Sequence, residues 1–124
     1  MIPCFEKYAG LYLPPDMIEA LTRNPQAVYD VCNGVGSTAN AFGRLTYHLI
    51  PSTLWGLSVE ASADIHDWMY SRPSGTLADK QEADRVFLNN MLRQIAMADS
   101  WLGKLLGPLR RRRALAYYEA VNAF

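Results

Sequence analysis

The chain has 124 residues, half of them hydrophobic, with twelve basic and twelve acidic side chains and a formal net charge of zero. That is the composition of a single globular domain, 1–124, and it excludes a disordered chain or one whose overall charge would draw it to nucleic acid. No run approaches the ~18 apolar residues of a membrane span. The amino terminus lacks a basic start followed by a long apolar run, and two cysteines, Cys4 and Cys32, are too few for a disulfide framework. The expectation is a protein of a reducing cytoplasm, with phage association or export without a classical signal as the alternatives.

A first helix is expected from Pro14-Pro15-Asp16 through Met17-Ile18-Glu19-Ala20-Leu21, ended by Asn24-Pro25. Residues 26–56 read mostly as loop. They hold four of the eight glycines (Gly34, Gly36, Gly43, Gly56), Pro51 and several Ser, Thr and Asn residues, with short strands or helical turns allowed within 44–50. A loop of that length is often functional. Ser58 suits a helix cap, and Val59, Ala63, His66 and Tyr70 share one face of the helix that follows.

Residues 71–75, Ser-Arg-Pro-Ser-Gly, break that helix. Thr76 and Asp79 have capping-box spacing for the next one, whose apolar face runs Ala83, Phe87, Leu88, Met91 and Ile95 and which should persist to about Ser100. Helices joined by so short a connection pack antiparallel. Gly107-Pro108 reads as the opening of a last helix, with Pro108 in the first turn and a buried stripe of Ala114, Tyr117, Tyr118, Val121 and Phe124. The expected fold class is mostly α: two long antiparallel helices carrying a His/Asp pair, with a glycine-containing metal loop and shorter flanking helices.

His66 falls on an apolar helix face, and a buried histidine needs partners for its ring nitrogens. Asp84 lies one turn before Phe87 and Leu88 on the buried stripe of the next helix, where a carboxylate is costly unless paired. Antiparallel packing lets Asp84 accept a hydrogen bond from one His66 nitrogen and leaves the other as a base. A purely structural pair satisfies the same pattern. Asp67 points roughly 100° away around the helix, toward water or toward a metal. Calcium prefers carboxylate, carbonyl and water oxygens, and the glycines of the Cys32–Ser37 stretch, Cys-Asn-Gly-Val-Gly-Ser, suit a loop that turns carbonyls toward one point. A plain turn reads the same way.

Taken together, Asn33-Gly34-Val35-Gly36, then Ser62-Ala63-Asp64-Ile65-His66-Asp67-Trp68-Met69-Tyr70, then Ala83-Asp84-Arg85 resemble the phospholipase A2 superfamily. That family has a Cys-Gly-x-Gly calcium loop, a Cys-Cys-x-x-His-Asp-x-Cys-Tyr active helix and a later Cys-Asp. The resemblance covers about residues 32–91. The family cysteines are replaced by Asn33, Ser62, Ala63, Met69 and Ala83, which suits a reducing compartment. Residues 40–57 form an insertion between loop and helix.

The resemblance implies calcium held by Asp67 and the carbonyls of Cys32, Gly34 and Gly36. It implies His66 as general base on water, Asp84 orienting it, Tyr70 supporting that network, and an N–H of Gly34 at the oxyanion. It also implies a phospholipid or membrane surface as partner, without nucleic acid and without a membrane span. Met17, Ile18 and Leu21 are channel candidates, and Trp55, Trp68 and Trp101 rim candidates, though most such residues are simply core. Arg110 to Arg113 are candidates to meet anionic lipid headgroups, but four consecutive residues cover all sides of a helix, and they read as a solvated face rather than a flat patch. No Gly-x-Ser-x-Gly elbow is present, which disfavours a serine hydrolase. Two other readings stay open. One is a metal-dependent phosphohydrolase of the HD type using His48, His66-Asp67 and Asp84 or Asp99. The other is a non-catalytic scaffold or interaction protein, of phage association for instance.

Overall fold

The computed structural model of the protein describes residues 6–32, 53–71, 76–98 and 100–123. Among these, five helices and one hairpin follow in order: α1 (Pro15–Arg23), α2 (Pro25–Cys32), β1 (Thr53–Leu54), β2 (Leu57–Ser58), α3 (Glu60–Tyr70), α4 (Leu77–Met97) and α5 (Trp101–Asn122). The chain is mostly helical.

Helix α1 forms where the punctuation places it. Pro15 occupies the first turn, Asp16 faces the positive end of the helix dipole, and Arg23 closes the last turn. Met17 and Leu21, one turn apart, are its buried anchors. The next element corrects the expectation of a loop from residue 26. Pro25 opens a second helix, which runs eight residues to Cys32 on the single buried anchor Val28. No glycine interrupts this stretch before Gly34.

The β1–β2 hairpin starts inside the stretch read as loop and ends beyond it, at Ser58, the residue expected to cap the next helix. Thr53 pairs with Ser58 and Leu54 with Leu57. Trp55 and Gly56 at its tip both have positive φ, 48° and 83°. That is the backbone a two-residue hairpin turn requires, and tryptophan adopts it only under constraint.

The three later helices carry the body of the fold. Thr76 caps α4 by accepting from the Asp79 N–H at 3.2 Å. Ala83, Phe87, Met91 and Ile95 are buried along it as expected, but it stops at Met97, three residues early. Ser62 of α3 donates to Gln94 late in α4, while His66 and Tyr70 reach Asp84 early in α4. The two helices are therefore antiparallel. Helix α3 has eleven residues against twenty-one in α4, so the His/Asp pair joins a short helix to a long one. Helix α5 returns antiparallel to α4, with Lys80 near the start of α4 touching Val121 and Asn122 at its end.

Helix α5 corrects a second expectation. It starts at Trp101, capped by Ser100 Oγ at 3.1 Å from the Gly103 N–H, and Pro108 lies within it. The buried residues Gly103, Gly107, Arg110, Ala114, Tyr117 and Val121 keep one register across the proline. Pro108 and Lys104, whose carbonyl loses its helical donor, are both exposed, on the side of the helix away from the core. At Gly103 a Cβ would stand 1.9 Å from the Ala98 carbonyl oxygen, which only glycine avoids.

Two apolar clusters make the core. One joins Leu54, Val59, Phe87, Met91, Ile95, Ala114, Tyr117 and Val121. The other joins Tyr8, Met17, Leu21, Val28, Ala61, Ile65, Met69 and Ala83. Helices α3 and α4 contribute to both, and His66 and Asp84 lie on the face between them. Asn90 of α4 ties in the chain before α1. Its amide accepts from the Tyr12 N–H at 2.8 Å and donates to the Tyr12 carbonyl at 3.0 Å.

Candidate active site

Helical spacing brings His66 and Tyr70 to one face of α3, one turn apart, and antiparallel packing sets that face against Asp84 of α4. His66 Nε2 lies 2.9 Å from Asp84 Oδ1. The Tyr70 hydroxyl donates to the same oxygen at 2.7 Å. Both His66 and Asp84 are fully buried. The His66 ring sits against Tyr70 and Phe87, with centroids 4.4 and 4.7 Å away.

The second carboxylate oxygen has a partner that the sequence reading missed. Lys80 Nζ donates to Asp84 Oδ2 at 2.9 Å and to the carbonyls of Val121 and Asn122 at 3.2 and 3.3 Å. The signal was present as an i, i+4 Lys–Asp spacing on a helix. It is common on solvated helices and does not by itself single out a site.

The electrostatics follow from burial and these bonds. Burial pushes the His66 imidazole below its ordinary value, and its bond to Asp84 only partly offsets that, so the ring is neutral near pH 7. For Asp84, burial acts to raise the carboxyl, but hydrogen bonds from His66, Lys80 and Tyr70 outweigh it and hold it below the usual range. Tyr70 is pushed upward by burial and by donating to an anion, so its hydroxyl keeps its proton.

Asp67 does not face water freely. It is partly buried, and burial, with the neighbouring charge of Asp64, pushes its carboxyl up to about 7. Among the described residues no donor reaches its side chain. Asp64, one turn earlier, is paired: Lys7 Nζ lies 2.7 Å from Oδ2 and the Tyr8 hydroxyl 3.1 Å. Lys7 also reaches Glu60 at 3.1 Å. Burial still raises Asp64 despite these bonds.

Cys32, at the end of α2, points its free thiol at the Asp64 carbonyl at 3.5 Å. Burial, then the charges of Asp64 and Asp67, push that thiol upward, so it is a neutral SH. The start of the glycine stretch thus lies on the turn of α3 that carries Asp67. Gly34 and Gly36 fall outside the described residues, as do His48 and Asp99. Among the described residues no group of three or more His, Cys, Asp or Glu side chains is placed to hold a metal. A calcium site built from one carboxylate and backbone carbonyls is of another kind, and an under-neutralised Asp67 beside Cys32 fits it.

The channel and rim candidates separate. Met17 and Leu21 are core, while Ile18 is exposed. Trp68 packs partly buried against the second cluster, whereas Trp55 and Trp101 are exposed. Arg110 is not part of a solvated face. It is buried and donates to the carbonyls of Leu54 and Trp55 at 3.2 and 3.1 Å, which locks the hairpin onto α5. Among the described residues no helix is long and apolar enough to cross a membrane.

Comparison with protein-family models, with curated proteins and with solved structures finds no match. The phospholipase A2 resemblance rests on the motifs of the chain itself.

Proposed function

We propose that the protein is a calcium-assisted hydrolase of phospholipid acyl esters. The observation that carries this reading is the convergence of His66 Nε2 and the Tyr70 hydroxyl on one oxygen of the buried Asp84 carboxylate. Asp84 accepts the Nε2 proton, which fixes the tautomer and leaves the lone pair on Nδ1. Nδ1 takes a proton from water as that water attacks the ester carbonyl, and returns it to the leaving alcohol. Asp84 stabilises the imidazolium formed in between. Tyr70 holds the carboxylate in register, and burial keeps the ring neutral and ready to accept a proton.

Asp67 and the carbonyls of Cys32, Gly34 and Gly36 would hold calcium. What the bound ion supplies is positive charge beside the oxygen on which negative charge develops. Support comes from the contact between Cys32 and the turn bearing Asp67.

One observation favours a second reading, the non-catalytic scaffold. Lys80 ties Asp84 to the last carbonyls of α5, so the same network pins three helices together. Release of fatty acid from mixed phosphatidylcholine and phosphatidylglycerol vesicles separates the two. The enzyme reading expects release in millimolar calcium, none with chelator, and a loss of at least about 100-fold in His66→Asn. A folded wild type that releases nothing from any headgroup class establishes the scaffold instead.

A further inference from the structure

The buried register of α5 leaves its opposite side to solvent, and that side is not what a solvated helix should carry. Trp101 is 77% exposed and Leu105 66%, and Leu102, Leu109 and Leu115 are exposed beside them. Trp101, Leu105 and Leu109 follow each other one turn apart, so they form a continuous stripe over the first half of the helix. The second half continues with the exposed side chains of Arg111, Arg112 and Arg113, and Lys104 flanks the stripe. At the far edge the Arg113 guanidinium lies 5.0 Å over the ring of Trp55, a second exposed tryptophan at the hairpin tip.

The charge is as lopsided as the hydropathy. Helix α5 holds five basic residues and one acidic residue, Glu119, in a chain whose formal net charge is zero. One of the five, Arg110, is used internally. The other four are exposed.

We infer that this side of α5, with the Trp55 hairpin tip, is a docking face for an anionic lipid bilayer. Two observations select the occupant. Exposed cations with no acid among them until Glu119 complement a negative surface and oppose a second copy of the same face. The adjoining tryptophan and leucines match the headgroup–acyl boundary, where a helix lies flat with its apolar side down, whereas a nucleic acid offers no such layer. The helix is too polar to span, so it lies on the surface. The inference rests on the lipid-hydrolysis reading only for the purpose of docking, and it assigns to α5, outside the catalytic motifs, the task of bringing the site to its substrate.

The test uses the full chain and vesicle co-sedimentation, with phosphatidylcholine alone and with added phosphatidylglycerol. Wild type should bind the anionic vesicles, more weakly as salt rises, and hardly bind the neutral ones. Arg111→Gln with Arg112→Gln should weaken binding roughly thirtyfold, at about a kcal/mol per cation. Trp101→Gln with Leu105→Gln should weaken it at least about tenfold. All four positions are exposed, so thermal melting should stay near wild type. His66→Asn should bind as wild type does.

Absence of binding to anionic vesicles overturns the inference, as does equal binding by both double variants. Self-association abolished by Trp101→Gln with Leu105→Gln would show that a second copy covers the face. Preferential binding of an oligonucleotide would assign it to nucleic acid. Docking without ester hydrolysis removes the enzyme reading and leaves the docking face standing. Hydrolysis of dispersed short-chain lipid without vesicle binding does the reverse.

Discussion

Lys80 and Asp84, one turn apart on α4, are joined at 2.9 Å, and the same ammonium caps the carbonyls of Val121 and Asn122 at the end of α5. The carboxylate that orients His66 is thereby tied to the far end of the chain. Lys80→Met leaves Asp84 Oδ2 and the two carbonyls without this donor. The expected cost is about 2 kcal/mol, read as a lower urea midpoint with unchanged slope. Lys80→Arg should restore part of it. An unchanged midpoint in Lys80→Met would show that the bond contributes nothing in solution.

The pair itself is the sharper test. Asp84→Ala removes the acceptor for His66, Tyr70 and Lys80 at a fully buried position, and breaking such a pair from one side costs about 3–5 kcal/mol. His66→Asn is milder, because a neutral polar group remains beside Asp84. If the pair serves only packing, both variants change stability alone. If it serves ester hydrolysis, His66→Asn loses activity far out of proportion to its stability.

Asp67 predicts an unusual pH response. Its carboxyl is raised in the folded protein to about 7, so the folded state binds the proton more tightly than the unfolded chain. That stabilisation is complete below the unfolded value near 4 and is lost as pH rises through about 7. Asp67→Asn cannot ionise. Relative to wild type it should therefore gain stability between about pH 4 and 7, by roughly 2–4 kcal/mol. Parallel melting curves of the two proteins across that range would refute the raised carboxyl.

His66 and Asp84 act in the opposite direction. Both are held below their ordinary values, so each adds stability that is present above its unfolded value and lost as pH falls through its folded one. His66→Asn should flatten the acid limb of the melting-temperature profile below about pH 6.5.

Calcium removal follows from the proposed function. At pH 8, calcium at ten times its dissociation constant should add ~1.4 kcal/mol of stability, and chelator should remove it. The gain should shrink at pH 5, where Asp67 is protonated, and vanish in Asp67→Asn. A gain that survives in the variant would place the ion elsewhere.

How much of this was legible beforehand differs by element. The Thr76 cap, the start of α1 at Pro15, the apolar register of α4 and the His66–Asp84 pairing all follow from local spacing, because a helix converts sequence separation directly into direction. Pro108 misled, whereas Pro25 ends one helix as expected and opens the next. Proline forbids a donor but does not say whether the orphaned carbonyl faces water, and only packing decides that. Helix α5 continues through Pro108 because its buried register lies on the opposite side.

Residue types and intervals along the chain determined by themselves that the protein is mostly helical and that His66, Tyr70 and Asp84 belong together. Only the tertiary structure decided that Lys80 completes the Asp84 carboxylate, that Arg110 is buried while its three neighbours are exposed, and that Cys32 rests on the turn bearing Asp67. Those outcomes join elements far apart in sequence. Their partners are set by how helices dock and by what that docking removes from water, a choice that no local interval encodes.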